Sequence, residues 1–583
     1  MATSPSTQFS ALFSFAPRPI RAFLNSALQL RDLQELYTRA RGASQASLSR
    51  AVLDILNIGI RVPAQHLERF PRTGAVIVVA NHPFGLLDGL VLDAVLRDLR
   101  PDIKILANSF LWGIEELRDH FLPVDVFGGP DGASINLRSA RQAFRLLSEG
   151  HGIAIFPSGE VAHWRTAQRC ITDPPWGHAA ARFAMQSGAR VVPIYFAGAN
   201  SLAFQIAGLV HPRLRTARLP GELLNKRGSH VEVRIGTPIP GAELKRYGSV
   251  ERATSYLRAR TYMLSHHQAA SPVRFRREVP AHAIVPFQNT ELTGEINRLR
   301  EAGQVVVENE SYAVFRERGS AIPALMREIG RAREVAFRAA GEGTGKELDL
   351  DVFDSSYTHL ILWHKPSARI AGSYRLAWTQ DILPTQGIRG LYTSTLFRFS
   401  PAFFRTLGPA GELGRSFIHP DFQKDYAPLL LLWQSIGRSV AARPEAPVLF
   451  GPVSISADYS EASRELMVKF LRERRFRADL AHWVSPRRPF RSRLTRAPEL
   501  RAVAACLSDI EDLSAPISDI EEHTGVPVLL RQYLRLGGRV AAFNVDRHFS
   551  DTLDGLLIVD LRETPKKMLA KYLGPAGAQF IHQ

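Results

Sequence analysis

Short apolar runs alternate with helix-like stretches between Ala75 and Thr237 in the first half of the chain. Five runs have the length of buried strands: "AVIVVAN", "DIKILAN", "GIAIFPSGE", "ARVVPIYFAG" and "HVEVRIG". Several of them end in polar or glycine-containing turns. Strands that alternate with helices form sheets whose functional loops lie at the strand ends. The pattern therefore predicts an α/β domain, a mixed sheet with flanking helices and with its chemistry at those ends.

The pattern fades after Tyr262 and restarts near Thr293. The intervening stretch "SHHQAASPVRFRREVPAHAIVPFQ" contains three prolines and a basic cluster without periodicity, which is typical of a linker. A helical stretch, "TGEINRLREAGQVVVE", precedes six strand-like runs: "YAVFRE", "THLILWH", "ARIAGSYRLA", "GELGRSFIHP", "APVLFGPVSIS" and "VAAFNVD". A helix is predicted over residues 427–440. These elements indicate a second α/β domain with a central sheet.

These patterns divide the chain into four predicted ranges. Residues 71–265 and 291–583 form the two domains, and residues 266–290 form the linker. Residues 1–70 contain two amphipathic helices, in which apolar residues such as Phe23 and Leu24 mix with arginines. Such a helix either packs its apolar face on the domain or lies in a membrane surface. Both interpretations are open on the sequence.

Composition restricts the partners of this 583-residue chain. Its formal net charge of +17, with arginine spread along the chain, suits nucleic acid, anionic lipid headgroups or an acidic carrier protein. Because no nucleic-acid-binding motif accompanies the charge, no nucleic-acid partner is predicted. The two cysteines, Cys170 and Cys506, are far apart and favour neither a disulfide framework nor a metal site. Neither a secretory signal nor a spanning apolar stretch is evident, so we expect a soluble or peripheral protein on the cytoplasmic side.

The first candidate chemistry lies in "VVANHPFGLLDGLVLDAVL", where His82 and Asp88 follow a predicted strand. A histidine can act as a general base towards a hydroxyl when a carboxylate holds its ring in one tautomer. The same pair can also be a structural hydrogen bond. A second strand ends in "FPSGEVA", with Pro157, Gly159 and Glu160, where glycine lets the backbone approach a phosphate or a thioester.

Four ordered blocks resemble those of the glycerolphosphate-type lysophospholipid acyltransferases: "NHPFGLLDG", "SFLWGIEELRDHF", "FPSGEVA" and "VVPIYF". The resemblance implies that His82 deprotonates an acceptor hydroxyl while Asp88 orients and charge-balances the imidazole. The hydroxyl would then attack an acyl thioester. It also implies that Pro157, Gly159 and Glu160 belong to the acceptor or headgroup site.

Two departures from the common pattern of that family point to one of its branches. Five residues separate His82 from Asp88 where four are usual, and Ser158 precedes Gly159 where the family usually has glutamate. Both variants resemble the bacterial branch called hemolysin-like, which also contains ornithine-lipid acyltransferases.

A second group of charged residues lies beside the strands of the second half. Charged residues beside strands usually lie at strand ends that are exposed to solvent and have no role in chemistry. The group consists of Asp349, Asp351 and Asp354 in "ELDLDVFDSSYTHLILW", Arg375 in "IAGSYRL", and Glu412 and Arg415 in "GELGRSFIHPDF". As an ordered set it resembles the acyltransferases of GNAT-like fold shared by ornithine N-acyltransferases and acyl-homoserine-lactone synthases. The remaining strands look more like the ornithine type.

An N-acyltransferase requires a neutral amine as its nucleophile. Glu412, or a water that it holds, is the candidate proton acceptor. Asp351 and Asp354 are expected to bind the ammonium groups of a cationic amino acid. Arg375 and Arg415 are expected to hold its carboxylate or the phosphopantetheine of a carrier.

The acyl donor is expected to be acyl carrier protein, as its 4'-phosphopantetheine thioester, with no bound cofactor. GNAT enzymes that use CoA have a glycine-bearing loop for the pyrophosphate, but no glycine occurs here from His419 to Trp433. An acidic carrier also suits the net charge of +17.

Together the two resemblances imply the synthesis of an ornithine lipid. The C-terminal domain would transfer a 3-hydroxyacyl group to the α-amine of L-ornithine, and the N-terminal domain would acylate the 3-hydroxyl of lyso-ornithine lipid. We expect the protein to be peripheral, on the anionic inner face of the bacterial cell membrane. The alternatives are glycine or lysine as the acceptor, a 1-acylglycerol-phosphate-type acyltransferase, and a non-enzymatic membrane-active protein.

Overall fold

The computed structural model describes residues 30–43, 47–108, 114–125, 131–267, 283–284, 291–491, 498–521 and 525–580. The chain forms two compact units. The first comprises residues 1–269, 498–506 and 518–523, and the second comprises residues 270–497, 507–517 and 524–583. Two short segments far along the chain therefore belong to the first unit, a feature that no periodicity in the sequence indicates. Most of the predicted linker, residues 268–282 and 285–290, lies outside the described residues.

A mixed sheet forms the centre of the first unit. Its strands, with the neighbouring hairpin, are β1 (Gly59–Arg61), β2 (Val76–Ala80), β3 (Ile103–Asn108), β4 (Phe121–Val124), β5 (Gly152–Ile155), β6 (His163–Arg165), β7 (Cys170–Thr172), β8 (Arg190–Ala197) and β9 (His230–Ile235). The order is β1-β9-β8-β2-β5-β3-β4, and neighbours are parallel except β8 and β9. Strands β6 and β7 form the separate hairpin. Strand β2 is buried along its whole length, as expected for a parallel strand covered on both faces.

Helices connect and flank these strands. They are α1 (Leu30–Gly42), α2 (Leu48–Ile55), α3 (Ala64–Arg69), α4 (Leu86–Leu99), α5 (Gly132–Ser148), α6 (Ala179–Ser187), α7 (Leu202–Val210), α8 (Pro212–Ala217), α9 (Leu219–Leu224), α10 (Gly241–Leu244) and α11 (Val250–Met263). Short 3-10 turns occur at Glu115–Leu117, Lys245–Tyr247 and Leu264–His266.

The described part of the N-terminal segment packs against the first unit. Leu33 and Leu36 of α1 and Leu53 of α2 are buried in the same core as strand β2. The apolar faces of these two helices therefore pack against the core of the first unit. Residues 1–29, with Phe23 and Leu24, lie outside the described residues, so the interfacial interpretation of that stretch stays a prediction.

The second unit also has a central sheet. The strands of this half are β10 (Val305–Glu308), β11 (Tyr312–Arg318), β12 (Thr358–His364), β13 (Arg369–Trp378), β14 (Phe397–Phe399), β15 (Ala410–Ile418), β16 (Val448–Ile455), β17 (Val484–Pro486), β18 (Arg539–Asp546) and β19 (Thr552–Asp560). The order is β10-β11-β12-β13-β15-β16-β19-β18, antiparallel except for the pair β15 and β16, while β14 pairs with β17.

Eleven helices are described after residue 290. They are α12 (Leu292–Glu301), α13 (Pro323–Ala339), α14 (Thr379–Gln386), α15 (Pro401–Leu407), α16 (Ala427–Ala441), α17 (Glu461–Arg474), α18 (Ala478–Ala481), α19 (Pro498–Cys506), α20 (Ile510–Glu521), α21 (Val528–Arg535) and α22 (Lys566–Phe580). Short 3-10 turns occur at Gly319–Ala321, Ile388–Gly390, Tyr392–Thr395, Pro420–Phe422 and Leu561–Glu563. None of the helices that the structure describes is long and apolar enough to cross a membrane.

The predicted fold class is confirmed in both halves, and one predicted element is partly wrong. All eleven predicted strands are present, and the predicted helix over residues 427–440 is α16. The stretch "TGEINRLREAGQVVVE" is helical only as far as Glu301. Gly303 then adopts a left-handed conformation with φ 71°, and Val305–Glu308 forms the edge strand β10. Three consecutive β-branched valines favour the strand there.

Candidate active sites

The site of the first unit lies where parallel strands end at one edge of the sheet. Strands β2 and β5 are neighbours, so His82 and Phe156, which follow them, meet at that edge. The imidazole stacks on the Phe156 ring with 4.4 Å between centroids. Asn81 fixes the residue before the histidine, because its side chain donates to the Phe196 carbonyl at 3.0 Å and accepts from the Phe196 N–H at 2.7 Å.

His82 and Asp88 lie together as the sequence suggests. Nδ1 of His82 is 2.9 Å from Oδ2 of Asp88, whose side chain is 0% exposed, while the imidazole is 18% exposed. The same carboxylate oxygen accepts the N–H groups of Phe84 and Gly85 at 2.8 Å. Burial raises the pKa of Asp88, against the opposing effects of the adjacent His82 imidazole and of the hydrogen bonds from the Phe84 and Gly85 N–H groups. With Nδ1 turned to the carboxylate, Nε2 is the ring nitrogen that can accept a proton.

Helix α4 begins in this geometry because Asp88 occupies its first turn. A carboxylate there satisfies N–H groups that have no partner within the helix and complements the helix dipole. Asp88 therefore fixes both the start of the helix and the histidine ring.

Asp173 is a third participant that sequence reasoning missed. Its buried carboxylate accepts the backbone N–H of His82 at 3.2 Å and the indole N–H of Trp176 at 2.9 Å. Its own N–H donates to the Tyr262 hydroxyl at 2.9 Å. Burial raises the pKa of Asp173. The segment "DPPW" shows no periodic or motif signal that would place this carboxylate beside the histidine.

The "FPSGEVA" block lies at the same edge as His82. The N–H of Ala162, the last residue of this block, donates to the His82 carbonyl at 2.8 Å. Pro157 is buried, and its carbonyl accepts the Gly177 N–H at 2.7 Å. Gly159 has φ 64°, a left-handed conformation that favours glycine, and its N–H bonds to the Phe156 carbonyl.

Glu160 is exposed, and its charge is matched by a cation that no motif in the sequence indicates. Nη2 of Arg215, on α8, lies 2.8 Å from Oε2 of Glu160. The structure thus brings the predicted residues of the first unit to one edge, and their roles in binding a substrate stay predictions. The second predicted block is described only in part, because residues 109–113 lie outside the described residues.

The charged residues of the second unit form one buried network. Arg375, 0% exposed, lies 2.6 Å from Asp351 and 3.0 Å from Asp354. Arg333 of α13, which the sequence analysis missed, lies 2.8 Å from Asp354. Against the effect of burial, these two guanidinium groups lower the pKa of Asp354. The negative charges expected to bind ammonium groups are therefore already matched by arginines within the protein.

Arg415 extends the network towards the aromatic residues. It lies 3.4 Å from Asp349 and 3.6 Å from Asp351, and its guanidinium is about equally close to the rings of Tyr392 and Phe549. Its φ of 47° is unusual for a residue other than glycine. Strand β15 is irregular here, since its register with β13 shifts between Ser373 and Arg375.

Glu412 is buried, 1% exposed, and its carboxylate has several donors. Oε1 accepts the N–H of Thr393 at 2.7 Å, and Oε2 accepts the N–H of Tyr392 at 3.1 Å and the Tyr357 hydroxyl. Burial raises the pKa of Glu412. The carboxylate therefore anchors the turn at 392–395, and any part in proton transfer stays a prediction.

An opening separates β15 from β16 beyond this point. The two strands pair only from Ala410 to Glu412 against Val448 to Phe450, although both continue for several more residues. Gly451 permits their closest approach, since a Cβ there would lie 2.1 Å from the Leu413 carbonyl oxygen. The small cavity beside them is lined by Leu413, Leu449, Phe450, Gly451, Pro452, Tyr533, Leu557 and Val559.

A buried carboxyl group also lies near Arg415. Asp554, in β19, accepts the Ser454 hydroxyl at 2.7 Å. Burial, together with the charges of Asp546 and Glu342, raises the pKa of Asp554 to about 8. Burial likewise raises the pKa of Glu342 to about 7. Nothing in the sequence distinguishes these acids from solvated strand ends.

Comparisons with known proteins agree with two acyltransferase sites. Residues 50–271 match the family described as acyltransferase, and residues 332–434 match the acetyltransferase (GNAT) domain. The chain is 32% identical over 265 residues to a glycine N(alpha)-acyltransferase of Bacteroides thetaiotaomicron, covering 43% of this chain and 77% of that protein.

Two further relatives represent the other activities. The chain is 28% identical over 288 residues to an L-ornithine N(alpha)-acyltransferase of Rhodobacter capsulatus, covering 47% of this chain and 93% of the relative. It is 22% identical over 241 residues to a lyso-glycine lipid O-acyltransferase of Phocaeicola vulgatus, covering 40% of this chain and 83% of the relative. The fold and the two sites thus define a fused two-domain acyltransferase. The chain belongs to the GNAT-domain acyltransferase family of the Bacteroides enzyme and carries a second acyltransferase domain ahead of it.

Proposed function

We propose that this protein makes a doubly acylated ornithine lipid in two steps. The second unit transfers a 3-hydroxyacyl group to the α-amine of L-ornithine, and the first unit then acylates the 3-hydroxyl of the lyso-ornithine lipid. One observation carries the proposal. Relatives named for N-acylation of an amino acid and for O-acylation of a lyso-lipid each match over most of their own length, yet each covers less than half of this chain.

The O-acylation follows from the geometry at His82. Nε2 accepts the proton of the acceptor hydroxyl as its oxygen attacks the carbonyl carbon of the acyl thioester. The imidazolium formed is balanced by Asp88 at 2.9 Å. The tetrahedral intermediate then expels the thiolate of the donor, which takes the proton from the imidazolium. Asp173 acts as a positioning residue, because it holds the backbone N–H of His82.

In the N-acylation a neutral α-amine attacks the carbonyl carbon of the donor thioester, and the C–S bond then breaks to expel the donor thiolate, which takes up the proton that the amine has released. The raised pKa of Glu412 makes its carboxylate a stronger proton acceptor than an exposed one, acting directly or through a water. Acyl carrier protein is the proposed donor for both steps. The unpaired strand edges beside the cavity at Leu413 and Gly451 suit an extended arm with amide groups, such as 4'-phosphopantetheine.

Ornithine is proposed as the acceptor because the buried carboxyl group of Asp554 lies near Arg415, and Glu342 is close enough to Asp554 to raise its pKa. A bound ammonium group would hold Asp554 and Glu342 in their charged forms, and Arg415 would face the substrate carboxylate. Glycine is the second candidate, favoured by the 32% identity to the glycine N(alpha)-acyltransferase. The proposed location is the inner face of the bacterial cell membrane, where both products would be retained.

Acyl transfer by the purified full chain tests this proposal. Supplied with 3-hydroxyacyl carrier protein and equal ornithine and glycine, the wild type should form mainly N-acylornithine. Glu412→Gln should lose N-acylation yet still O-acylate added lyso-ornithine lipid, which shows that its first unit is folded. His82→Ala should show the reverse. If the wild type acylates glycine in preference, glycine replaces ornithine as the proposed acceptor. If it acylates neither amino acid, the proposal is overturned.

A further inference from the structure

Helix α7 of the first unit has an inverted distribution of apolar and polar residues. Its sequence, "LAFQIAGLV", contains no charged residue. Leu202, Ile206, Leu209 and Val210 are 74%, 52%, 65% and 72% exposed, whereas its one polar side chain, Gln205, is buried. A helix at a water-exposed surface normally turns its polar face outwards. An exposed apolar face of this size indicates a neighbour other than water.

The hairpin of β6 and β7 adds two more exposed apolar side chains beside this helix. Trp164 and Ile171 are directly paired across the hairpin, and both are exposed. The N–H of Trp164 donates to Oε1 of Gln205 at 2.9 Å, which ties the hairpin to the buried side of α7. We call the following set the apolar patch: Trp164, Ile171, Leu202, Ile206, Leu209, Val210 and the exposed Leu214 of α8.

The chain around the apolar patch is basic. Residues 161–172 and 201–221 contain no aspartate or glutamate. They contain five arginines, of which Arg169 and Arg218 are exposed. Apolar side chains flanked by arginines are typical of surfaces that enter the headgroup region of anionic lipid.

The apolar patch also flanks the histidine site. The hairpin begins one residue after Ala162, whose N–H donates to the His82 carbonyl. Helix α8 carries Arg215, which pairs with Glu160 of the "FPSGEVA" block. An acceptor that stays in a bilayer would therefore have a short path to His82 if the patch rested on that bilayer.

We propose that the apolar patch docks the first unit on an anionic lipid bilayer, with the histidine site facing the membrane-resident acceptor. The purpose of the docking, but not the docking itself, rests on the proposed O-acylation of a lyso-lipid. The surface is distinct from the N-terminal amphipathic stretch, since it lies on α7, α8 and the β6–β7 hairpin.

Sedimentation of the full chain with vesicles tests the proposal. The vesicles contain phosphatidylcholine with or without phosphatidylglycerol. Leu202→Gln combined with Leu209→Gln changes two exposed residues seven positions apart on α7. Leu137→Gln combined with Phe144→Gln makes the matched change on α5, where both residues are also exposed and seven positions apart.

The wild type and the α5 control should bind vesicles that contain phosphatidylglycerol, and the α7 variant should bind at least about tenfold more weakly. The α7 variant should acylate a short-chain, water-soluble hydroxy acceptor at the wild-type rate and lose activity only on acceptor embedded in vesicles.

Equal binding by the α7 variant and the wild type would overturn the proposal. So would an effect confined to self-association, which would assign the patch to a second copy of the chain. If the wild type binds vesicles through the apolar patch but transfers no acyl group, the proposed function is wrong and the proposed docking surface is still supported.

Discussion

The carboxylate of Asp88 holds His82 and the turn between them at the same time. One oxygen lies 2.9 Å from Nδ1 of the histidine and accepts two backbone N–H groups from the intervening residues Phe84 and Gly85. A single carboxylate therefore sets the ring orientation, the shape of the turn and the first turn of α4. This arrangement accounts for the five-residue spacing, because the added length is taken up in a turn that the carboxylate itself closes.

Replacing Asp88 with asparagine should impair O-acylation while leaving N-acylation intact. An amide cannot balance an imidazolium, and its NH2 group would compete as a donor with Nδ1–H and the two backbone N–H groups. We expect kcat for O-acylation to fall on the order of 100-fold or more. Asp98→Asn, on the same helix but exposed, is the control and should keep the wild-type rate. Equal rates for the two variants would remove Asp88 from the mechanism.

Gly85→Ala should damage the same turn through the backbone. Gly85 has φ 84° and ψ −114°, and a Cβ there would lie 2.7 Å from a methyl group of Leu219. The cost to the first unit should be about 1–3 kcal/mol, together with a loss of O-acylation. Gly74→Ala is the matched control, because Gly74 has φ 82° but open space around it. Calorimetric unfolding should show the larger shift for Gly85→Ala, and the opposite order would contradict the close contact.

Arg375→Met should destabilise the second unit and abolish N-acylation. The fully buried guanidinium matches the charges of Asp351 and Asp354, and its removal leaves only Arg333 and Arg415 to balance these carboxylates in the protein interior. Breaking a buried ion pair costs about 3–5 kcal/mol. Calorimetry on the full chain should show a lower unfolding temperature for the second unit only. Arg398→Met, at an exposed position of β14, should leave that temperature unchanged.

The stability of the second unit should fall as pH rises towards 8. Burial raises the pKa of Asp554 from the ordinary 3.8 to about 8, so the folded protein keeps a proton that the unfolded chain loses between these values. The folded state is then favoured at low pH and loses this contribution as pH rises through the window. Asp554→Asn should flatten the fall in melting temperature between about pH 5 and about pH 8, but only in part, because Glu342 also titrates near 7. An unchanged pH dependence would show that Asp554 is ionised throughout.

The predicted strands were found because each is a compact apolar run bounded by turn residues. Strand β4 escaped the sequence analysis, since Pro123 interrupts a four-residue run, and β19 was missed although "LLIV" is apolar. Parallel neighbours explain why the ends of β2 and β5 meet, which the alternation of strands and helices already implies.

The partners of the predicted residues were harder to find than the residues themselves. Asp173 reaches His82 from 91 positions away, and Arg333 reaches Asp354 from the face of a helix with no motif. Such contacts depend on how distant segments pack, which periodicity does not encode. The exposed face of α7 was also missed, because an apolar nine-residue helix has the sequence of a buried one.

The most direct test of two consecutive acylations in one chain is lipid mass spectrometry on a bacterial host that has no amino-acid lipids of its own. Expression of the wild type should produce a doubly acylated ornithine lipid, and His82→Ala should produce only the N-acylated lyso-lipid. Accumulation of that lyso-lipid would place O-acylation at the His82 site and after amide formation. If His82→Ala still yields the doubly acylated lipid, or if the wild type yields no amino-acid lipid, the two-step account is wrong.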